Sequence, residues 1–144
     1  MTKPMDVKNC TSFNLRKAAR VVTHQYDEML KPSGLRSTQF SLLTVLSMGG
    51  TETISNLAHT LVMDRTTLTR NLKPLQSQGW VKRVPGEDRR TRSWTITAQG
   101  RKVQAQALPL WQKAQRQTIE QLTQKRWSSF LNHLFDIKDR LSSY

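Results

Sequence analysis

Acidic residues are scarce in this sequence. Ten Asp and Glu stand against 23 Lys and Arg, so the chain carries a formal net charge of +13 at neutral pH. A surplus of that size points to a polyanionic partner, either nucleic acid or an anionic membrane surface. Cysteine is rarer still: Cys10 stands alone. That excludes an intrachain disulfide and the secreted disulfide scaffolds, and it fits a reducing cytoplasm. No stretch approaches 18 consecutive apolar residues, which excludes a membrane-spanning helix. Met1 to Cys10 is polar and lacks the apolar centre of a secretory signal. His24, His59 and His133 lie far apart and form no ligand spacing with Cys10, so no metal is expected. The sequence has no Gly-x-Ser-x-Gly elbow, no Walker loop and no dinucleotide glycine pattern. Its few acids are dispersed rather than clustered. We therefore expect neither enzymatic activity nor a cofactor.

What is present is helical periodicity. The length of 144 residues suits one domain with a real apolar core, and 36% hydrophobic residues in regular patterns argue against disorder. Leu15, Ala18, Ala19, Val22, Tyr26 and Met29 mark one face of a helix over Thr11 to Leu30, ended by Lys31-Pro32-Ser33-Gly34. Ser37 or Thr38 is expected to cap a second helix carrying Phe40, Leu42, Leu43, Val45 and Leu46, stopped by Gly49-Gly50. Thr51 to Thr53 is too short for its pattern to decide, and would admit a small strand. Ile54 to Thr60 reads as a short third helix. Asp64 predicts an N-cap for a fourth helix, Arg65 to Gln78, kinked at Pro74 and closed by Gly79.

The period then changes. Trp80 to Val84 and Arg92 to Ile96 alternate as strands do, joined by Pro85-Gly86-Glu87-Asp88, and this predicts a basic β-hairpin. Thr97 caps a long helix that we expect to be interrupted or bent at Pro109. A last helix over about Lys125 to Ser142 carries Trp127, Phe130, Leu131, Leu134, Ile137 and Leu141 on one stripe. The fold class expected is mainly α with a small β-hairpin wing.

Helix, turn, helix and basic hairpin is the order of a winged helix–turn–helix. At 100° per residue, Leu68, Leu72 and Leu75 of the fourth helix cluster on one face and must point to the core. Opposite them lie Thr66, Arg70, Lys73 and Ser77, with Thr67 and Thr69 on the flanks and Arg65 at the start. Such a stripe suits a major groove: arginine forks onto guanine acceptors, and threonine meets phosphate or a thymine methyl. Residues 64 to 92 hold eight of the 23 cations against three acids, a local net of +5. The hairpin contributes Arg89, Arg90 and Arg92, a cationic probe for the narrow, electronegative minor groove.

Met63-Asp64-Arg65-Thr66-Thr67-Leu68-Thr69-Arg70, followed by Gly79-Trp80-Val81-Lys82-Arg83, resembles the recognition helix and first wing strand of the MarR family of multiple antibiotic resistance regulators. Asp88-Arg89-Arg90 with Ile96-Thr97 and Gly100 resembles that family's wing signature, Asp-x-Arg followed by Leu-Thr-x-x-Gly, with Ile in place of Leu. The order of elements fits from about Ser12 onward. The resemblance implies a single domain over 1–144, with a DNA-binding lobe at 37–97 and dimerisation helices at 11–31 and 98–144. It implies a homodimer reading a pseudo-palindrome, with Arg90 in the minor groove and Asp88 orienting nearby cations. A repressor is expected rather than an activator, because occluding a promoter needs no further contact surface. The alternative is an architectural protein that binds DNA without sequence preference.

Two further expectations attach to the remaining residues. The apolar stripe of the last helix lies beyond the winged module and needs a surface to bury against, which supports a dimer. In the family resembled, small anionic aromatics bind between the dimerisation helices and the winged lobe. Here Arg16 or Arg20 would pair with a carboxylate, and His24, Tyr26, Gln39 or Trp111 would supply polar or stacking contacts. Peroxide-sensing members carry an early cysteine, but its position falls near Ser12, so Cys10 reads as a bystander.

Overall fold

The computed structural model describes residues 6–86, 88 and 90–142. Helix α1 spans Thr11–Leu30, the bounds its apolar spacing predicts. After a 3-10 turn come α2 at Ser37–Gly49, strand β1 at Thr51–Thr53, α3 at Ile54–Leu61 and α4 at Arg65–Ser77. Strands β2 (Val81–Pro85) and β3 (Arg92–Ile96) form the hairpin, followed by α5 (Ala98–Leu122) and α6 (Gln124–Leu141). The sheet is antiparallel in the order β1-β3-β2. The segment Thr51–Thr53 is thus a strand, and its partner is β3. Among the described residues no helix is long and apolar enough to cross a membrane.

Two expectations are corrected. Neither Ser37 nor Thr38 caps α2: Arg36 holds the cap position and Ser37 is the first helical residue. Gln39 Oε1 accepts from the Arg36 backbone N at 3.0 Å, and Asp27 Oδ1 on α1 accepts from the Ser37 backbone N at 2.7 Å. An open amide of α2 is therefore satisfied from a different helix, which no local motif announces. Likewise, of the interruption or bend expected at Pro109, the interruption does not occur: α5 is one helix across it. Its neighbours Ala107 and Ala114 are fully buried, and packing on α1 and α2 holds the helix across the missing amide hydrogen bond. Helix α4 also continues through Pro74.

The core lies between α2, α3, α4 and the sheet. Leu43, Leu46, Leu57, Leu68, Leu72 and Leu75 are fully buried there, joined by Leu30 from α1 and Ala107 from α5. Gly100 permits the close approach of α5 to the hairpin entry, because a Cβ at that position would run into the Trp80 carbonyl. Thr97 completes the junction: its Oγ1 accepts from the Gly100 backbone N at 3.0 Å and donates to the Gly79 carbonyl at 2.6 Å. The core does not extend along the outer helices. Every residue of α1 from Thr11 to His24 is exposed in the protomer, and α6 has no buried residue.

Candidate nucleic-acid interface

Helix α4 is pinned by its inward leucines. Leu68, Leu72 and Leu75 are each 0% exposed, so the opposite face is fixed toward solvent. Its first turn is held by Asp64. Oδ1 accepts from the Thr67 backbone N at 2.8 Å and Oδ2 accepts from the Thr67 hydroxyl at 2.7 Å. These bonds from Thr67 hold the Asp64 carboxyl below its ordinary titration range. Thr67 is thereby occupied as a capping partner and is only half-exposed, unlike Thr66, Thr69, Arg70, Lys73 and Ser77, which are open to solvent.

Between α4 and the wing lies a groove of about 630 Å³. Five of the residues expected from the sequence line it: Arg65, Thr69, Lys73, Arg90 and Arg92. Sequence reasoning missed the other lining residues, Gln76 and Arg83 among them. Arg83 pairs across the hairpin with Trp94, as Val81 does with Ile96 and Pro85 with Arg92. Strand alternation places Arg83 on the same face as the buried Val81, which was the available signal. Its guanidinium lies over the Trp94 ring, 5.4 Å from the centroid. Among the described residues the groove wall thus carries five cations and no carboxylate. Arg65 also donates to the Ser55 hydroxyl on α3, which fixes its direction. The ion pairs among the described residues, Lys31–Glu28, Lys138–Asp139 and Arg140–Asp136, all lie elsewhere.

The remaining expected residues are distributed differently. Arg70 lines a separate groove on the other flank of α4, with Arg36, Gln39 and Asn71. Thr66 and Ser77 are exposed but line neither groove. Arg89 lies outside the described residues. Asp88 does not orient a side-chain cation among the described residues: its Oδ1 accepts from the Arg90 backbone N at 3.3 Å and shapes the wing tip instead.

The six residues expected to hold an effector are not brought together. Tyr26 donates to Gln115 on α5, Gln39 accepts from Arg36, and Trp111 stacks on Phe40 with centroids 5.9 Å apart. Arg16, Arg20 and His24 are exposed along α1. The cavity that does lie where α1 meets the winged lobe is about 280 Å³ and contains none of the six. Thr23, Leu42, Met63, Leu68 and Asn71 are among its lining residues.

Comparison with known proteins follows the same outline. A family model described as the MarR family matches residues 35–91, from the start of α2 to the wing. The chain is 34% identical over 88 residues to YwoH of Bacillus subtilis (strain 168), an uncharacterized HTH-type transcriptional regulator. That match covers 61% of this chain and 64% of YwoH, so it spans less than two thirds of the curated relative. The crystal structure of the M. tuberculosis transcriptional regulator MosR in complex with DNA is 34% identical. It superposes with a TM-score of 0.85 over 94% of this chain and 98% of that one. A mutant MarR from E. coli, complexed with operator DNA, shares the fold at 22% identity and a TM-score of 0.83, over 94% of this chain and 99% of that one.

Proposed function

This chain belongs to the MarR family, and from that premise we propose that it is a homodimeric repressor that binds double-stranded DNA at a pseudo-palindromic operator. The observation that carries the DNA reading is the groove between α4 and the wing, where Arg65, Lys73, Arg83, Arg90 and Arg92 converge with no carboxylate among the described residues. A row of unpaired cations is costly unless a polyanion compensates it, and release of condensed counterions from DNA supplies the driving force. MosR is known in complex with DNA, which supports the same partner here. A regulator of this kind works in the cytoplasm, where the DNA is.

The dimer is supported by the apolar residues the protomer leaves uncovered. Phe13, Leu15 and Val22 on α1 are 40–42% exposed, and Phe130 and Phe135 on α6 are 42% and 56% exposed. A second copy covering both helices would bury them and set the distance between the two copies of α4. Effector release is supported by the cavity between α1 and the lobe. Among the described residues its walls carry no charged side chain, which suits a small aromatic or apolar molecule more than an anion. A ligand there would act through its differential affinity for two dimer geometries.

Selection of bound fragments from random duplex DNA, followed by salt titration on the winner, tests this reading. Enrichment of an inverted repeat is expected, with affinity that falls steeply as salt rises. Binding without enrichment identifies an architectural protein, and an absence of binding removes the DNA reading.

A further inference from the structure

We infer that the groove on the other flank of α4, away from the wing, holds a backbone phosphate of the bound duplex, with Arg36 as its principal cation. This rests on the DNA-binding reading and adds a contact which that reading does not contain. A B-form major groove is about 12 Å wide, and a helix with its side chains is about 10–12 Å across. A recognition helix in that groove therefore has a phosphate strand along each side. Toward the wing, α4 is accompanied by Arg83, Arg90 and Arg92. On the other side it is accompanied by the start of α2, and Arg36, Thr38 and Gln39 face Arg70 and Asn71 across a groove of about 430 Å³.

The chemistry of this groove suits a phosphodiester. Among the described residues it holds two guanidinium groups and no carboxylate, and neither arginine takes part in an ion pair. Arg36 makes one wall of the groove positive, and the nearby Arg70 reinforces that potential, which favours an anion beside Arg36. Arginine presents a planar fork of N–H donors that fits phosphate oxygens in pairs, and Thr38 and Asn71 add hydrogen-bonding groups of the type that line DNA backbones. The base of the Arg36 side chain is also fixed. Its backbone N donates to Gln39, and the next amide, Ser37, donates to Asp27 on α1. The contact is thus anchored to a helix outside the winged lobe, so a movement of α1 would shift the phosphate contact with it.

The test compares wild type, Arg36→Ala and Arg36→Lys on a selected duplex and on a scrambled one, each titrated with potassium chloride. Arg36 is exposed, so the variants should melt like wild type. We expect Arg36→Ala to lower the magnitude of the log–log salt slope by about 0.9 per protomer, or about 1.8 for a dimer. Affinity should fall by the same factor on both duplexes, and Arg36→Lys should restore most of the slope. A steep wild-type slope that Arg36→Ala leaves unchanged overturns the inference while the DNA reading stands. A wild type that binds no duplex overturns both. A third arm replaces chloride by inorganic phosphate at constant ionic strength. Inorganic phosphate should compete for the same groove and weaken wild-type binding more than that of Arg36→Ala; equal weakening of the two overturns the inference.

Discussion

Arg83 on β2 stands directly across the hairpin from Trp94 on β3, with its guanidinium carbon 5.4 Å from the indole centroid. Trp94 is nearly fully buried, so the ring is a fixed platform. A guanidinium lying over an aromatic face gains a cation–π contact, and its N–H edges stay free to donate. The stack therefore holds a cation in the groove beside α4 before any DNA arrives, which lowers the ordering cost of the contact.

Arg83→Ala should weaken binding by about 1.5–3 kcal/mol per protomer, the range for hydrogen bonds to charged groups. Arg83→Lys should recover only part of this, because an ammonium keeps the charge but neither stacks as a plane nor donates in a fork. Fluorescence anisotropy on a selected duplex measures both. Full recovery by lysine would show that charge alone matters and that the Trp94 platform contributes nothing to the contact.

Arg70 and Arg90 should separate reading from holding. Arg70 lies on the solvent face of α4, opposite the buried Leu68, Leu72 and Leu75, where a side chain would reach base edges with α4 in a major groove. Arg70→Ala should cost about 1–3 kcal/mol per half-site and relax discrimination at one base position. Arg90 lies on the wing, where the minor groove offers a degenerate code, so Arg90→Ala should weaken binding evenly apart from a preference for narrow A·T-rich grooves. Binding of both variants to an operator library measures the difference. If Arg90→Ala changes a major-groove preference and Arg70→Ala does not, the two elements have exchanged roles.

Much of this arrangement is legible in the amino-acid order, and what is not has identifiable causes. The spacing of Leu68, Leu72 and Leu75 sets the orientation of α4, and alternation around Val81 and Ile96 sets the hairpin, because both are local periodicities imposed by burial. The cap of α2 escaped because Asp27, ten residues earlier in the sequence, supplies it across a helix–helix contact. The continuity of α5 through Pro109 escaped because buried Ala107 and Ala114 decide it. Tyr26, Gln39 and Trp111 looked available for a ligand, but each is occupied by a partner distant in sequence or by a cap. Arg83 reads as charge alone in the sequence, although strand alternation already implies the pairing with Trp94 that aims it.

Association through the outer helices is best tested at residues the protomer does not need. Leu131 and Leu134 are half-buried, so charging them mixes unfolding with dissociation. Phe130 and Phe135 are more exposed. Phe130→Glu combined with Phe135→Glu should leave helical content intact and convert a dimer into a monomer in sedimentation equilibrium. DNA affinity should then fall toward that of a single half-site. A wild-type monomer at micromolar concentration, or a double variant that remains dimeric, would remove these faces from the interface.

The cap of α4 makes stability depend on pH in a direction fixed by the Asp64 shift. Bonds from the backbone and hydroxyl of Thr67 lower the folded-state pKa of this carboxyl, while the unfolded chain has no such partners. A group whose folded pKa is depressed contributes stability that is fully present above its unfolded value, about 3.9 for Asp. That contribution is lost as pH falls through the folded value, because the unfolded state takes up the proton first. Asp64→Asn keeps a side-chain oxygen at the cap but does not titrate. It also forgoes the attraction between a carboxylate and the positive end of the helix. Wild type should therefore melt above Asp64→Asn at pH 7, and the gap should close as pH drops below about 4. Thermal melts of the two proteins across that range measure it. A gap that stays constant from neutral to acid pH would mean that the carboxylate charge does not stabilise α4, and that the cap acts through its hydrogen bonds alone.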